Sequence, residues 1–159
     1  MYYPDLNRFE KLAKKGNLIP VYREVLADLD TPLSAFLKLD GRYRFLFESV
    51  EGGEKWARYS FLGSNPEMMI ESKDRSVLIK KGGYFRRADF VKDPLEIVAH
   101  EMSKYKYVDI PELPRFSGGF VGYIGYDIVR FFEDIKEKHN KEELGLPDLF
   151  LMLFKDILI

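Results

Sequence analysis

The chain has 159 residues, 46% of them hydrophobic and 15% aromatic, which suits one folded domain with an apolar core and excludes a disordered chain. Its formal net charge of −1 provides no basic surface of the kind that binds nucleic acids or anionic membranes. The absence of cysteine excludes disulfides, thiol nucleophiles and thiolate metal sites, and two histidines far apart in sequence argue against a histidine-based metal cluster.

The first forty residues predict two short helices with a strand between them. Asp5 is a candidate N-cap for the first helix, which ends near Gly16 and is followed by a strand over residues 19–25. Asp30-Thr31-Pro32 marks the start of the second helix, since proline is tolerated in a first turn. The predicted buried faces are Leu6, Phe9, Leu12 and Ala13 for the first helix and Leu33, Phe36 and Leu37 for the second.

From Arg42 the apolar pattern changes to a period of two. Tyr43, Phe45 and Phe47 occupy alternate positions, which predicts a strand with one buried face. The chain turns at Gly52-Gly53 and returns in a second strand that ends at Asn65-Pro66, because proline cannot donate to a strand ladder. Short strands follow at 68–71, 76–80 and 84–87, and this spacing predicts an antiparallel sheet.

The turn between the first two strands carries polar residues that could act together. Glu48 and Ser49 end one strand, and Arg58 begins the other. If the strands pair as a hairpin, a carboxylate, a hydroxyl and a guanidinium come close enough to hold both charged ends of an amino acid. The alternative is an ordinary salt bridge at the rim of the sheet, which contributes little stability, and spacing alone favours this alternative.

The segment 93–96 is a strong helix start, with Asp93 as N-cap, proline next and glutamate at the third helical position. The apolar stripe of this helix consists of Leu95, Val98, Ala99, Met102 and Tyr105. His100 falls off that stripe, so we interpret it as a solvated residue. We assign no cofactor role to the methionine and tyrosine, since such residues on an apolar stripe are most often part of the core.

The last third contains a glycine-rich segment, a charged run and an apolar end. Residues 117–125 contain four glycines but match neither a P-loop nor Gly-x-Gly-x-x-Gly, so we predict a strand whose glycines permit close backbone approach. Asp127 is expected to cap a helix, and the mixed charges of 136–143 are expected to be solvated. The segment 148–159 is expected to form one apolar strand, which needs a partner along its edge. The predicted inward residues of that helix are Ile128, Val129, Phe131, Phe132 and Ile135.

These motifs carry a family resemblance. Glu48-Ser49, the following Gly-Gly-Glu and the Arg-Tyr-Ser-Phe-Leu-Gly of 58–63 resemble the amino-terminal region of anthranilate synthase component I, a family similar to aminodeoxychorismate synthase component I and other chorismate-using enzymes. The segment 122–127 resembles a Gly-Tyr-x-x-Tyr-Asp region of the same family. The resemblance covers all 159 residues but only the front part of a family member. It implies an α+β fold of layered antiparallel sheets with flanking helices, forming a single domain, 1–159, truncated before the catalytic portion, with a sheet incomplete at the C-terminus.

The resemblance also implies a function for the whole enzyme. It would convert chorismate and ammonia to anthranilate and pyruvate in tryptophan biosynthesis, with Mg²⁺ as cofactor and a glutamine amidotransferase, component II, supplying the ammonia. The chorismate and magnesium residues would lie in the missing portion, so no residue here is assigned a catalytic or metal-binding role and the chain alone is expected to be inactive. The N-terminus lacks a signal-peptide pattern and no apolar run could span a membrane, so we expect a cytoplasmic protein.

For this region the resemblance implies regulation, with tryptophan as a feedback inhibitor. The residues expected to line the tryptophan pocket are Phe47, Glu48, Ser49 and Arg58. Two alternatives remain open: the corresponding region of aminodeoxychorismate synthase component I in the folate pathway, and a stand-alone module that binds an amino acid.

Overall fold

The computed structural model describes residues 1–48, 59–135 and 144–159. The predicted Gly52-Gly53 turn, Ser49, Arg58 and the charged run 136–143 lie outside these ranges. The helices of the described ranges are α1 (Leu6–Ala13), α2 (Pro32–Lys38), α3 (Pro94–Ser103) and a 3-10 helix (Tyr126–Phe131). The strands are β1 (Arg44–Phe47), β2 (Phe61–Ser64), β3 (Met68–Lys73), β4 (Ser76–Lys81), β5 (Tyr84–Ala88), β6 (Gly119–Ile124), β7 (Leu149–Phe154) and β8 (Ile157–Leu158).

The strands form two antiparallel sheets, which confirms the predicted α+β class. One sheet has the order β5-β4-β3-β7-β6 and the other the order β1-β2-β8. The hairpins β3–β4 and β4–β5 pair in the register expected from their turns, with Lys73 opposite Ser76 and Lys81 opposite Tyr84. β7 joins the larger sheet from the far end of the chain and pairs with β3 on one side and β6 on the other.

β7 buries both of its faces, and this explains its six consecutive apolar residues. Leu149 and Leu153 belong to a core cluster with Val98 of α3, whereas Met152 and Phe154 belong to a second cluster on the opposite side. Because side chains alternate along a strand, the five-stranded sheet carries α3 on one face and the three-stranded sheet on the other. The fold therefore has three layers: helix, five-stranded sheet and three-stranded sheet.

The segment 148–159, predicted as one strand, is two. Hydrogen-bonded pairing stops after Phe154 and resumes at Ile157, where β8 pairs with β2 of the smaller sheet. The apolar run of β7 therefore has partners on both sides, and the same short segment passes from one sheet to the other.

Several predicted buried faces are wrong in detail. On α1, Leu6 is 72% exposed, and on α2 the side chains of Leu33 and Leu37 are exposed. Both helices contain no fully buried residue, because they lie at the edge of the fold. Their predicted starts are confirmed: Asp5 accepts from the amide of Arg8 at 2.7 Å, and Thr31 with Ser34 forms a capping box.

The helix α3 begins where predicted but presents a different face to the core. Asp93 caps it, accepting from the amide of Leu95 at 2.7 Å. Its buried residues are Pro94, Val98 and Glu101, whereas Ala99 and Met102 of the predicted stripe are exposed. Glu101 tolerates burial because the ammonium of Lys104 lies 2.6 Å from its carboxylate. His100 is exposed, as predicted.

The expected strand at 19–25 and the helix capped by Asp127 are also wrong. The first is an extended segment with isolated bridges, Leu18 to Tyr107 and Tyr3 to Tyr22. The second is a 3-10 helix with Gly125 at its N-cap position. This helix ends at Phe131 and buries Ile128, and the predicted inward residues Phe132 and Ile135, which follow it, are exposed.

The glycine-rich segment behaves as predicted at β6. A Cβ atom at Gly122 would overlap the carbonyl oxygen of Phe150 on the neighbouring strand β7. A Cβ atom at Gly125 would lie 2.9 Å from the carbonyl oxygen of Asp148. Glycine is therefore required here by the backbone of β7 and its preceding residue rather than by a phosphate.

Candidate functional site

The strands β1 and β2 form the antiparallel hairpin predicted from the sequence. Phe47 is the last residue of β1 and lies opposite Phe61, and Phe45 lies opposite Gly63. Glu48 follows immediately and is exposed. The predicted partners Ser49 and Arg58 lie outside the described residues, so their distances to Glu48 stay a prediction.

Aromatic rings cover one side of this hairpin. We call Phe45, Phe47, Tyr59 and Phe61 the aromatic shelf. The ring centroids of Phe45 and Phe47 are 5.1 Å apart, and those of Tyr59 and Phe61 are 6.2 Å apart. Directly opposite residues of an antiparallel pair project from the same face, which places Phe47 and Phe61 side by side.

The aromatic shelf is buried at its inner end and open at its outer end. Phe45 is 7% exposed and packs edge-on against Phe154 at a centroid distance of 4.8 Å. Phe47 is 50% exposed and Tyr59 is 39% exposed. A Cβ atom at Gly63 would overlap the ring of Phe45, so glycine at this position leaves the space that the ring occupies.

The open end combines an apolar ring face with a carboxylate. Phe47 and Glu48 are adjacent, and both side chains are exposed to solvent. An aromatic ring that stacks on Phe47 would remove apolar surface from water, and the carboxylate of Glu48 can accept hydrogen bonds from an ammonium group. Phe47 and Glu48 are consecutive residues, so a ligand that contacted both side chains would need a flat apolar body and a positive charge.

A second concave surface lies between α3 and the start of β8. It is a cleft of about 580 Å³, which we call the β8 cleft. One wall is the extended segment 18–22, which hydrogen bonds to the stretch after α3: the amide of Val108 donates to the carbonyl of Leu18 at 2.9 Å. The hydroxyls of Tyr107 and Ser117 lie 2.7 Å apart and join two parts of the lining.

The sequence analysis did not find the β8 cleft. Its charged lining residues include Arg115 and Asp156, which lie in connections far apart in sequence. Neither connection carries a motif. The local signal is that two charged residues interrupt otherwise apolar or glycine-rich stretches, and this signal is common in surface loops.

Beside this cleft, one carboxylate holds two lysines. Glu67 accepts from Lys155 and from Lys81, whose ammonium lies 3.2 Å from the Glu67 carboxylate. Burial by itself raises the pKa of Glu67, but the hydrogen bonds from the two lysines outweigh it, and the net pKa is below the usual range. The hydrogen bond to Glu67 raises the pKa of Lys81. Both ammonium groups also lie over the ring of Tyr105, at 6.0 and 5.3 Å from its centroid.

Comparison with known proteins gives relatives along the whole chain. No protein-family model matches it. It is 42% identical to anthranilate synthase component 1 of Acetivibrio thermocellus over 161 aligned positions, which cover 100% of this chain and 32% of that protein. The component 1 of Pseudomonas putida is 44% identical, covering 95% of this chain and 31% of that protein.

The resemblance to anthranilate synthase component 1 is confirmed. It extends to Aquifex aeolicus, whose anthranilate synthase component 1 is 38% identical over 97% of this chain. The chain spans about a third of the length of these relatives. It therefore corresponds to the amino-terminal part of the anthranilate synthase component 1 family.

The described part of the chain contains neither a cluster of three or more metal-ligating side chains nor a helix that could span a membrane. Within residues 1–48, 59–135 and 144–159, no group of three or more histidine, cysteine, aspartate or glutamate side chains is arranged to hold a metal ion. In the same ranges, every helix is too short or too polar to cross a membrane.

Proposed function

We propose that this chain is the amino-terminal, tryptophan-regulated part of an anthranilate synthase component 1. The observation that carries the proposal is the identity of about 40% along the whole chain to proteins of that name. The open end of the aromatic shelf, with Glu48 beside Phe47, supports the regulatory part of the proposal.

In this proposal, tryptophan binds at the end of the β1–β2 hairpin. Its indole stacks on Phe47, and its ammonium donates to the carboxylate of Glu48. The hydroxyl of Ser49 adds a hydrogen bond, and the guanidinium of Arg58 pairs with the carboxylate of the ligand. Charged hydrogen bonds of this kind are about twice as strong as neutral ones, so Glu48 and Arg58 would contribute more than Ser49.

Two thirds of each compared relative lies outside the matched region, and we propose that this portion carries the reaction. There chorismate and ammonia would be converted to anthranilate and pyruvate, with Mg²⁺ bound outside this chain and component II supplying ammonia from glutamine. We assign this chain no chemical step, and we propose that the chain alone is inactive because the catalytic portion lies outside it.

Feedback inhibition then requires that tryptophan favours one arrangement of the longer protein. A ligand shifts an equilibrium between two conformations only by its difference in affinity for them. The exposed half of Phe47 gives the ligand one apolar wall, and we propose that the remaining walls come from the portion beyond this chain. Tryptophan would therefore bind best when both portions are in contact.

The test is tryptophan inhibition of the natural full-length protein that contains this chain. We expect Glu48→Gln to raise the inhibitory concentration of tryptophan about tenfold or more, because it removes the charged acceptor for the ammonium. Ser49→Ala should raise it several-fold, consistent with the loss of one neutral hydrogen bond of about 1 kcal/mol. The activity without tryptophan should stay near that of the wild type.

The matched control is Glu10→Gln, an exposed glutamate on α1 that makes no ion pair within the described residues. It should leave inhibition unchanged. If Glu48→Gln and Ser49→Ala both retain wild-type inhibition, the regulatory role of this hairpin is wrong, while the family assignment is unaffected. If the protein produces aminodeoxychorismate rather than anthranilate, the proposed reaction is wrong.

A further inference from the structure

We infer that the β8 cleft is a second ligand site, which binds a free amino acid with a large apolar side chain. This inference does not depend on the proposed tryptophan site, since the aromatic shelf contributes no residue to the lining of the cleft. Its volume of about 580 Å³ falls within the range of about 300–1,000 Å³ that small-molecule sites occupy.

The body of the cleft is apolar. Met102 of α3, Phe120 of β6 and Ile157 of β8 line it. Met102 is 54% exposed although it lies on a helix that packs against the core, so its side chain is available to a ligand. A flexible methionine adapts to the shape of an apolar side chain. These walls would bury the hydrocarbon or aromatic part of the ligand.

Two charged side chains of opposite sign complete the lining. Arg115 and Asp156 both line the cleft and are exposed. Within the described ranges neither forms an ion pair or side-chain hydrogen bond, either with the other or with a third residue. The third charged lining residue, Lys155, is held by Glu67 and by the ring of Tyr105. The guanidinium and the carboxylate are therefore available to a ligand.

An α-amino acid matches this pair of charges. Its carboxylate can accept two parallel hydrogen bonds from a guanidinium, and its ammonium can donate to a carboxylate. A simple organic anion would leave Asp156 without a partner. A purely apolar ligand would use neither charge.

The cleft is held in shape by bonds between its walls. The amide of Val108 donates to the carbonyl of Leu18, and the amide group of Asn17 donates to the carbonyl of Lys104 at 2.8 Å. The opposite wall contains Gly118, whose φ of +137° favours glycine and leaves no side chain over the cleft. A site that is already formed loses less conformational entropy when it binds a ligand.

The experiment is calorimetric titration of the natural protein that contains this chain with L-phenylalanine, 3-phenylpropionate and 2-phenylethylamine. The second probe lacks the ammonium and the third lacks the carboxylate. We expect L-phenylalanine to bind, and each of the other two to bind about tenfold more weakly or worse, because one charged contact is lost.

The variants Arg115→Gln and Asp156→Asn should each weaken L-phenylalanine binding about tenfold. Arg115→Gln should remove the preference for the amino acid over 2-phenylethylamine, and Asp156→Asn the preference over 3-phenylpropionate. The control Arg86→Gln changes an exposed arginine of β5 and should have no effect. Circular dichroism should show that all variants remain folded.

The Glu48→Gln variant distinguishes binding in the β8 cleft from binding at the β1–β2 hairpin. Binding of L-phenylalanine should be unchanged in it. The inference is overturned if the wild type does not bind L-phenylalanine, if Arg115→Gln and Asp156→Asn bind as tightly as the wild type, or if Glu48→Gln abolishes binding. Tight binding of 3-phenylpropionate alone would also overturn it, since the cleft would then be an anion site.

Discussion

Glu67 links three parts of the larger sheet through one carboxylate. Lys81 lies at the end of β4, Lys155 follows β7, and both donate to Glu67. The amide of Glu67 also donates to the carbonyl of Leu153 at 2.8 Å. Since the side chain is 31% exposed, these charges are partly shielded from solvent, and their interaction is stronger than that of a fully solvated pair.

Glu67 should make stability depend on pH in the acidic range. Its pKa in the folded state is below the usual value of 4.5, so its stabilising contribution is present above that value and is lost as the pH falls through the folded pKa. We expect Glu67→Gln to have a lower free energy of unfolding at neutral pH than the wild type. The difference should narrow from about pH 5 to about pH 3.

Urea denaturation at a series of pH values measures this difference. Glu10→Gln, on the exposed surface of α1, is the control and should follow the wild type at every pH. A gap between Glu67→Gln and the wild type that stays constant or widens in acid would contradict the prediction.

The strand β6 is shaped by the backbone of its neighbour. Gly122 lies opposite Leu151 of β7, and a side chain at this position would be directed at the carbonyl of Phe150. Backbone atoms in the interior of a sheet cannot move aside as a flexible side chain can. Because β6 is the edge strand of the larger sheet, a displaced β6 would also leave the backbone groups on that edge of β7 without partners.

Gly122→Ala should therefore lower the free energy of unfolding by about 3 kcal/mol, the upper end of the usual cost of overpacking. The matched control is Gly82→Ala in the β4–β5 turn, where φ is +53° and no atom lies within 4 Å of the added Cβ. That change should lower the free energy of unfolding by about 1 kcal/mol, because it adds backbone strain but no steric contact. Equal losses in thermal or urea unfolding would show that the contact with Phe150 is unimportant.

For the molecule as a whole, Phe154 joins the two sheets. It is 1% exposed, it is the last residue of β7, and its ring packs against Phe45 of β1. The cluster around it includes Val121 and Met152 of the larger sheet. Since the smaller sheet has one short strand on either side of β2, it depends on this contact to bury its inner face.

Phe154→Ala should lower the free energy of unfolding by about 4 kcal/mol, the cost of a large cavity in a core. If that variant does not fold, Phe154→Leu should still fold, with a smaller loss. The control Phe85→Ala removes a ring that is 71% exposed, and it should change the free energy of unfolding by about 0.5 kcal/mol or less.

Calorimetry and circular dichroism of the wild type should give one coincident unfolding transition, because the two sheets share this cluster. Two separate transitions in the wild type would contradict the prediction.

Local patterns in the sequence determined much of the fold and part of the candidate site. A period of two predicted β1, the regular spacing of short strands predicted β3, β4 and β5, and Asp-Pro predicted the start of α3. The same reasoning put Phe47 and Glu48 at the end of a hairpin strand, as observed. These features depend on the alternation of side chains and on capping, which act between residues close in sequence.

Tertiary structure alone decided the order of the strands, the burial of the short helices and the β8 cleft. β7 pairs with β3 across most of the chain, and no local pattern specifies that partner. Leu33 and Met102 are exposed because docking at one face of a short helix depends on its neighbours, which periodicity does not reveal. Arg115 and Asp156 line one cleft because the chain returns past α3 after β7, and such long-range packing is set by the whole core.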